Sequence, residues 1–301
     1  MNKKDLNKNF IIFTFQRTGS STLSDILDLH PDSNVLFEPF NKGLATKDRA
    51  YYNKVNDIQT LNNTLKEIFS QHTGIKHIST QLDESYNKYM LKANYKIILL
   101  WRQNFLQKTI SHQISSKTQA WFKDRNKIHK TKFDPLSFDS IDKFLKLYKN
   151  QVNKYYTFLT NNNIDFFQLT YEELYNPDLP LSQKLKKIND IIKYLGYVEI
   201  TDQEIIKQIK VLLNPKKSKL NNLSTYFKIP NIVEIEKKFG SEENGHLFQL
   251  NSLQIFYYKF KASIIDLYYS IDINYAAGSI GLFLQKHIPF LYRFLKKIKN
   301  N

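Results

Sequence analysis

The chain has 301 residues, 42% of them apolar and 24% charged, and its 44 Lys+Arg against 28 Asp+Glu give a formal charge of +16. This composition excludes a disordered, collagen-like or multi-span membrane protein, because the apolar fraction suits a globular core and no window of about 20 residues is uniformly apolar. The absence of cysteine excludes disulfides, thiolate metal sites and a cysteine nucleophile. The charge surplus indicates an anionic partner without naming it.

The first 40 residues have the pattern of a strand, a loop, a helix and a second strand. Phe10–Phe15 is an uninterrupted β-prone apolar run, which is typical of a parallel sheet covered on both faces. Gln16–Thr22 is a polar loop, and apolar residues then recur at helical spacing until the His-Pro-Asp sequence at 30–32. Asn34–Phe37 is predicted to be the second strand.

Strands and helices continue to alternate as far as about residue 196. The predicted strands are Gly74–Ile78, Tyr95–Trp101 and Ile164–Leu169, and the predicted helices are Leu61–Phe69, Glu84–Leu91, one after Arg102, Ile141–Leu159 and Leu181–Leu195. This alternation predicts an α/β fold with a parallel, doubly wound sheet flanked by helices. After about residue 250 the pattern becomes helical and aromatic, so we expect an α/β domain over 1–250 and a helical, basic C-terminal extension over 251–301.

The loop between the first strand and helix is the first candidate site. Glycine lets a ligand approach the backbone closely, hydroxyls donate to oxyanions, and N–H groups at a helix start favour phosphate or sulfate. The loop lacks the lysine and the glycine spacing of a Walker A motif. An ordinary turn that caps the helix is the alternative. The candidate residues of this loop are Arg17, Thr18, Gly19, Ser20, Ser21 and Thr22.

Two further candidates follow other predicted strands. Arg102 comes directly after the Tyr95–Trp101 strand, nine residues before Ser111. Ligands of open α/β sheets bind at the carboxyl ends of strands, so we expect Arg102, Ser111 and the Arg17 loop to share one crevice, where a guanidinium and a hydroxyl suit a phosphate. Glu38 follows the second strand between aromatic residues. Desolvation there would suit a general base, and a loop glutamate in a salt bridge is the alternative.

Taken in order, these segments resemble sulfotransferases that use 3′-phosphoadenosine 5′-phosphosulfate (PAPS). The run Phe13–Leu23, the sequence at 30–32 and Phe37-Glu38-Pro39 are similar to the opening of carbohydrate and bacterial glycan or glycolipid sulfotransferases. Leu100–Ser111 resembles the second signature of the family, and Gln119-Ala120-Trp121 resembles an element found after it in bacterial members. Gly74–Lys76 and Tyr171–Leu174 fit weaker family patterns.

The resemblance implies a P-loop NTPase-like fold and transfer of a sulfuryl group from PAPS, as co-substrate, to a carbohydrate or glycolipid hydroxyl without a metal. Residues 17–22 would bind the 5′-phosphosulfate, with Arg17 also acting in catalysis, and Arg102 and Ser111 would hold the 3′-phosphate. Lys216 and Lys217 would belong to a late nucleotide loop. Glu38 would be the base and, with Trp121, would contact the acceptor. His30 and His77 are rival bases only by proximity in sequence.

Two other classes of function stay open at this point. A divergent nucleotide-dependent kinase would need the lysine and Mg²⁺ ligands that the loop pattern lacks. A basic nucleic-acid or membrane-binding protein would explain the charge but not the ordered motifs, and we expect no nucleic-acid partner. The basic amphipathic pattern over 278–301 fits either peripheral contact with an anionic membrane or packing on the main domain. With no recognisable signal peptide, a cytoplasmic protein is expected, with this tail at the inner face of the membrane.

Overall fold

The computed structural model describes residues 8–43, 51–119, 131–214 and 223–270. Its described residues group into two compact units. The first unit lies within Met1–His112, Asp139–Lys219 and Ser241–His246, and the second lies within Gln113–Phe138, Leu220–Gly240 and Leu247–Asn301. Both units therefore draw on residues before 250, and the boundary that the sequence places there stays a prediction.

A five-stranded parallel sheet forms the centre of the first unit. Its strands are β1 (Phe10–Thr14), β2 (Val35–Phe37), β3 (Gly74–Ile78), β4 (Lys96–Trp101) and β5 (Phe166–Thr170). They run in the order β2-β3-β1-β4-β5, and each neighbouring pair is parallel. The predicted α/β class with a parallel sheet is confirmed, and β1, the most apolar strand near the start of the chain, is the central strand.

Helices connect the strands and continue beyond β5. Their bounds are α1 (Ser20–Leu27), α2 (Ile58–Gln71), α3 (Glu84–Lys92), α4 (Phe105–Thr118), α5 (Phe138–Asn161), α6 (Tyr171–Tyr175), α7 (Leu181–Tyr194), α8 (Gln203–Leu212), α9 (Leu223–Tyr226), α10 (Ile232–Phe239) and α11 (Ser252–Ser270). No helix in the described part of the chain combines the length and the apolar character needed to cross a lipid bilayer.

Two core layers cover the two faces of the sheet. Side chains alternate between faces along a strand. Phe10 and Ile12 of β1 accordingly pack in one cluster with α1, α7 and α8, whereas Ile11 and Phe13 pack in the other with α2, α3 and α5. All five residues of β1 are buried. The sheet is thus covered on both faces, as the uninterrupted apolar run predicts.

The predicted strand ends differ from the observed ends by one or two residues, for local reasons. Phe15 is predicted to end the first strand, but the structure ends it at Thr14, and the Phe15 carbonyl oxygen lies 2.9 Å from the Thr18 hydroxyl. Ile164 is predicted to begin the last strand, but its N–H donates to the Leu159 carbonyl at the end of α5. In both places a turn or a helix end competes with the sheet for the backbone.

Four helices, α6, α8, α9 and α10, are not among the helices predicted from the sequence. Helix α8 is the longest of these four. Its start has a recognisable signal, because the Asp202 carboxylate accepts hydrogen bonds from the N–H groups of Glu204 and Ile205, as an N-cap does. Ile209 is fully buried.

The second unit contains its own apolar contacts. The ring of Phe227 stacks with the rings of Phe248 and Tyr258, at centroid distances of 5.0 and 5.7 Å. The Asn231 side chain pairs with both backbone polar groups of Leu136. This unit therefore has packing and polar contacts of its own.

Candidate active site

The sheet has a topological switch point between β1 and β4. From β1 the chain runs to β2 on one side, and from β4 it runs to β5 on the other. Neighbouring parallel strands whose connections leave in opposite directions open a crevice at their carboxyl ends, where open α/β sheets bind ligands. The loop after β1 and Arg102 after β4 flank this crevice.

Threonine hydroxyls fix the loop after β1. The Thr14 hydroxyl donates to the Leu100 carbonyl of β4 at 2.9 Å, and the Thr14 and Thr18 hydroxyl oxygens lie 2.6 Å apart. Both threonines are fully buried, so these hydroxyls hold the loop in shape. Arg17 has φ 66°, a left-handed conformation that costs a non-glycine residue about 1–2 kcal/mol. Such strain at a loop held from several sides is typical of a functional site.

Gly19, the residue before α1, occupies a position where any side chain would be strained. Its φ is 79°, and a Cβ atom there would lie 2.5 Å from Tyr175 Cε2. The Tyr175 hydroxyl donates to the Gly19 carbonyl at 2.8 Å. The sequence analysis misses Tyr175, although its Tyr171–Leu174 pattern ends one residue earlier. A tyrosine on α6 therefore supports the loop from beside β5.

The structure brings Arg17 and Ser111 together across 94 residues of chain. Arg17 Nε donates to Ser111 Oγ at 3.0 Å. Ser111 is buried on α4, whereas Arg17 is half-buried. The sequence analysis expects these two residues in one crevice, and this contact joins them directly.

Arg102 is buried beside the same crevice, and its guanidinium lies near an aromatic ring, an amide and a carboxylate. Its Cζ atom lies 4.2 Å from the ring centroid of Tyr171, and one terminal nitrogen donates to Gln107 Oε1. Glu172 Oε1 lies 3.9 Å from Arg102 Nε, too far for a hydrogen bond, and that buried nitrogen has no hydrogen-bond partner among the described residues. The Glu172 carboxylate accepts instead from the N–H groups of Gln103 and Asn104, just before α4 begins.

Glu38 lies in a buried polar cluster on the other side of the loop. Its φ is 51° and the residue is only 4% exposed. Oε1 accepts from Lys76 of β3, while Oε2 accepts from Asn41 and, at 2.9 Å, from Gln81. Lys76 Nζ also donates to Ser21 Oγ at 3.1 Å. Glu38 is therefore linked to the loop through a lysine that the sequence analysis notes only as part of a weak pattern.

The two rival histidines lie in the core. Burial lowers the pKa of His77 to about 4, although the hydrogen bond with Asn87 and the charge of Glu38 favour its protonated form. His77 Nε2 lies 2.7 Å from Asn87 Oδ1. The His30 ring stacks on Tyr197, and its Nε2 lies 2.9 Å from the Val198 carbonyl oxygen. Both imidazoles are thus engaged in structural contacts.

A cleft of about 670 Å³ lies next to the Glu38 cluster. Asn41 and Gln81, the two amides that donate to Glu38, both line it. Its charged lining residues are Lys42 and Asp83, and the Tyr86 hydroxyl donates to the Asn56 carbonyl at 2.8 Å. Amide and aromatic side chains make up most of the remaining lining: Gln16, Phe40, Asn41, Tyr52, Asn53, Asn56, Gln81 and Tyr86.

Several expected site residues lie outside the described ranges. Trp121, Lys216 and Lys217 are among them, as is the tail over 278–301. Within the described ranges, no group of three His, Asp or Glu side chains is placed to hold a metal ion.

The comparisons with known proteins give a distant structural likeness. No protein-family model matches the chain, and no curated protein is similar to it in sequence. Among solved structures, the chain is similar to mouse sulfotransferase SULT7A1 complexed with PAP, with 15% sequence identity and a TM-score of 0.39 over 97% of this chain and 89% of that one.

Proposed function

We propose that this protein transfers the sulfuryl group of PAPS to a hydroxyl of a carbohydrate or glycolipid. The observation that carries the proposal is the hydrogen bond from Arg17 to Ser111 at the switch point. It joins the two segments that resemble the phosphosulfate and 3′-phosphate motifs of sulfotransferases. A half-buried guanidinium and loop N–H groups at a helix start suit the two anionic ends of such a nucleotide.

The reaction is an in-line displacement at sulfur. The acceptor oxygen forms a bond to sulfur while the bond from sulfur to the 5′-phosphate oxygen breaks, and adenosine 3′,5′-bisphosphate leaves. Charge that develops on the departing phosphate is stabilised by Arg17 and by the N–H groups of the loop, which are fixed before the reaction begins. The proton of the acceptor hydroxyl passes to a carboxylate within hydrogen-bond reach.

Glu38 is the proposed proton acceptor, and its contacts define what it needs in order to act. The carboxylate already accepts from Lys76, Asn41 and Gln81. An incoming hydroxyl would take the place of one amide donor, and both amides line the cleft. Lys76 would stay paired with the other carboxylate oxygen, and its contact with Ser21 keeps the base beside the phosphosulfate loop.

The chemistry of the cleft supports a sugar as acceptor. Amides both donate and accept hydrogen bonds, as sugar hydroxyls do, and tyrosine offers an apolar face with a polar edge. The lining combines these groups and has one lysine and one carboxylate. A purely apolar acceptor would displace water from the cleft amides that do not bond to Glu38 without replacing its hydrogen bonds, which costs binding free energy.

Nucleotide binding to the full-length protein tests the proposal first. Adenosine 3′,5′-bisphosphate should raise the melting temperature far more than ATP or duplex DNA, since a ligand at about 100 times its dissociation constant stabilises the fold by about 2.7 kcal/mol. Preferential stabilisation by ATP would favour the kinase alternative. Affinity for DNA that falls steeply with salt would favour a nucleic-acid-binding protein.

Transfer of labelled sulfate from PAPS to a glycan array then tests the acceptor class. Tyr52→Ala, in the cleft, should raise KM for the sugar and leave the affinity for the bisphosphate unchanged. Lys146→Met is a matched surface control, because Lys146 is exposed on α5 and pairs with Asp142 of the same helix. Bisphosphate binding without sulfation of any glycan would overturn the carbohydrate acceptor and retain the nucleotide.

A further inference from the structure

Lys108 on α4 is a buried lysine to which the sequence analysis gives no role. The residue is 7% exposed, and its Nζ atom lies 3.9 Å from the ring centroid of Tyr148. Among the described residues, no carboxylate or carbonyl oxygen accepts a hydrogen bond from Nζ. Removing an ammonium from water is costly unless an anion compensates it, and an aromatic face recovers only about 2 kcal/mol of that cost.

The charged groups around Lys108 are mostly positive. Burial and the charge of Arg102 lower the pKa of Lys108 to about 8. Burial, Lys108 and Arg17 lower the pKa of His112 to about 4. In the described part of the chain, the Glu172 carboxylate lies near these groups, 3.9 Å from Arg102 Nε.

Two tyrosines complete the surroundings without adding negative charge. Tyr148 on α5 is fully buried, and its hydroxyl accepts from the Arg102 N–H; burial raises its pKa to well above the usual range. Burial also raises the pKa of Tyr171 on α6, whose ring faces Arg102. Both phenols therefore stay neutral at physiological pH, and the surplus of positive charge remains.

The helical spacing places Lys108 beside the groups of the proposed site. Residues three and four apart share one side of a helix, so Lys108 lies on the same side of α4 as Ser111 and His112. The Ser111 hydroxyl accepts from Arg17. Arg102 precedes the helix and interacts electrostatically with Lys108. An anion bound by Arg102 and Ser111 would therefore meet the Lys108 ammonium as well.

We propose that Lys108 is a third contact for the 3′-phosphate of the nucleotide, and the second cationic one, together with Arg102 and Ser111. This inference rests on the proposed function. It adds a residue that would help to discriminate a 3′-phosphorylated nucleotide from adenosine 5′-phosphate. The phosphate supplies the counter-charge that Lys108 lacks among the described residues.

The proposal has a consequence for the pH dependence of binding. Without ligand, Lys108 loses its proton as the pH rises through about 8, whereas the bound phosphate holds the proton on it. Affinity for the bisphosphate should thus be level between about pH 7 and 8 and fall up to about tenfold for each further pH unit. The second ionisation of a phosphate monoester lies near pH 6, so it does not contribute in this range.

Titration calorimetry on the full chain at pH 7 and 9 tests this contact. Wild type should bind adenosine 3′,5′-bisphosphate about tenfold more weakly at pH 9 than at pH 7. Lys108→Met should lose about 10–100-fold at pH 7 and show no further loss at pH 9, whereas adenosine 5′-phosphate should change by less than about threefold. Lys108→Arg should retain most of the pH 7 affinity and remove the loss at pH 9, because arginine stays charged.

The controls separate this contact from a structural role and from the proposed function. Lys146→Met should behave as wild type at both pH values. Ligand-free Lys108→Met should melt no lower than wild type, because it removes an uncompensated buried charge. Wild-type affinity and pH profile in Lys108→Met would overturn the contact while leaving the proposed function intact. A wild type that binds neither nucleotide would overturn the proposed function and this contact with it.

Discussion

The two sides of the crevice differ in how their buried charges are balanced. On the side of β3, Lys76 and Glu38 form an ion pair with side chains that are 2% and 5% exposed. On the side of β4, Arg102 and Lys108 are both buried, and Glu172, at 30% exposure, lies 3.9 Å from the guanidinium. On the side of β3, the two buried charges of this ion pair therefore neutralise each other. On the second side, the described residues leave an excess of positive charge, which the proposed 3′-phosphate would balance.

This difference predicts which substitutions should lower the stability of the unliganded protein and which should lower the affinity for the ligand. Removing one partner of a buried ion pair leaves the other charge without compensation, so the unliganded protein should lose stability. Removing a buried cation that has no partner relieves a cost in the unliganded protein and weakens the ligand complex instead. Substitutions on each side of the crevice can therefore distinguish a loss of stability from a loss of binding.

Glu38→Gln should have the largest effect, because it affects both stability and chemistry. We expect the free energy of unfolding to fall by about 3–5 kcal/mol as Lys76 loses its counter-charge. The transfer rate should also fall by about 10²–10⁴-fold through loss of the base. Denaturant unfolding and transfer of labelled sulfate measure the two effects.

The double variant Glu38→Gln with Lys76→Met separates these effects. It removes both charges and should recover most of the lost stability, while the transfer rate stays low. Recovery of near-normal turnover would remove Glu38 as the base and leave it a structural partner of Lys76.

Gly19→Ala should come next, because it deforms the loop that joins the two sides. A left-handed alanine costs about 1–2 kcal/mol, and overpacking against the Tyr175 ring adds about 1–3 kcal/mol. Gly196→Ala is a matched control, since Gly196 has φ 82° and nothing within 4 Å of the added Cβ. Thermal unfolding of both variants isolates the effect of Tyr175. Equal destabilisation would show that the ring yields at no cost.

Acid should disturb the balanced side of the crevice through His77. The pKa of His77 is about 4 in the folded protein and 6.5 in the unfolded chain. Between these pH values the imidazole is protonated in the unfolded chain and neutral in the folded protein. Stability is therefore present above pH 6.5 and is lost as the pH falls toward 4, by up to about 3 kcal/mol. His112, whose pKa is also about 4, acts in the same sense.

His77→Gln measures the share of His77 in this acid sensitivity. Unfolding by denaturant between pH 7 and pH 4 should show a clearly smaller loss of stability in the variant, with the remainder due to other groups whose pKa the fold lowers, such as His112, His72 and Glu84. An unchanged loss would mean that His77 accepts its proton without disturbing the core.

Arg102→Ala should mainly affect binding, with a loss of about 2–3 kcal/mol for adenosine 3′,5′-bisphosphate and much less for adenosine 5′-phosphate. Arg102→Lys keeps the charge but loses the planar fork, so it should recover only part of the affinity. Calorimetry with both nucleotides checks the difference. Equal losses for the two would contradict the 3′-phosphate assignment.

The sequence predicts the sheet and the crevice because both follow from local patterns. Apolar runs identify β1 and β4, and the rule for switch points then places Arg17 and Ser111 together. The partnership of Glu38 with Lys76 depends instead on strand register, in which Phe37 pairs with Lys76. The periodicity of apolar residues in the sequence does not predict that register. The surplus of positive charge around Lys108 cannot be predicted from local patterns either. Helical spacing predicts the neighbours of Lys108 on α4, but it does not predict which charged side chains of other elements lie near it.

The contact between Tyr175 and Gly19 also bears on the order of folding. These residues are 156 positions apart, and contacts of such long range form late because their loop-closure entropy must be overcome first. The loop after β1 is synthesised early, yet it receives this support only when β5 and α6 have joined the sheet. Refolding followed by nucleotide binding should therefore lag behind refolding followed by helix content, and the lag should disappear in a Tyr175→Phe variant that lacks the hydrogen bond.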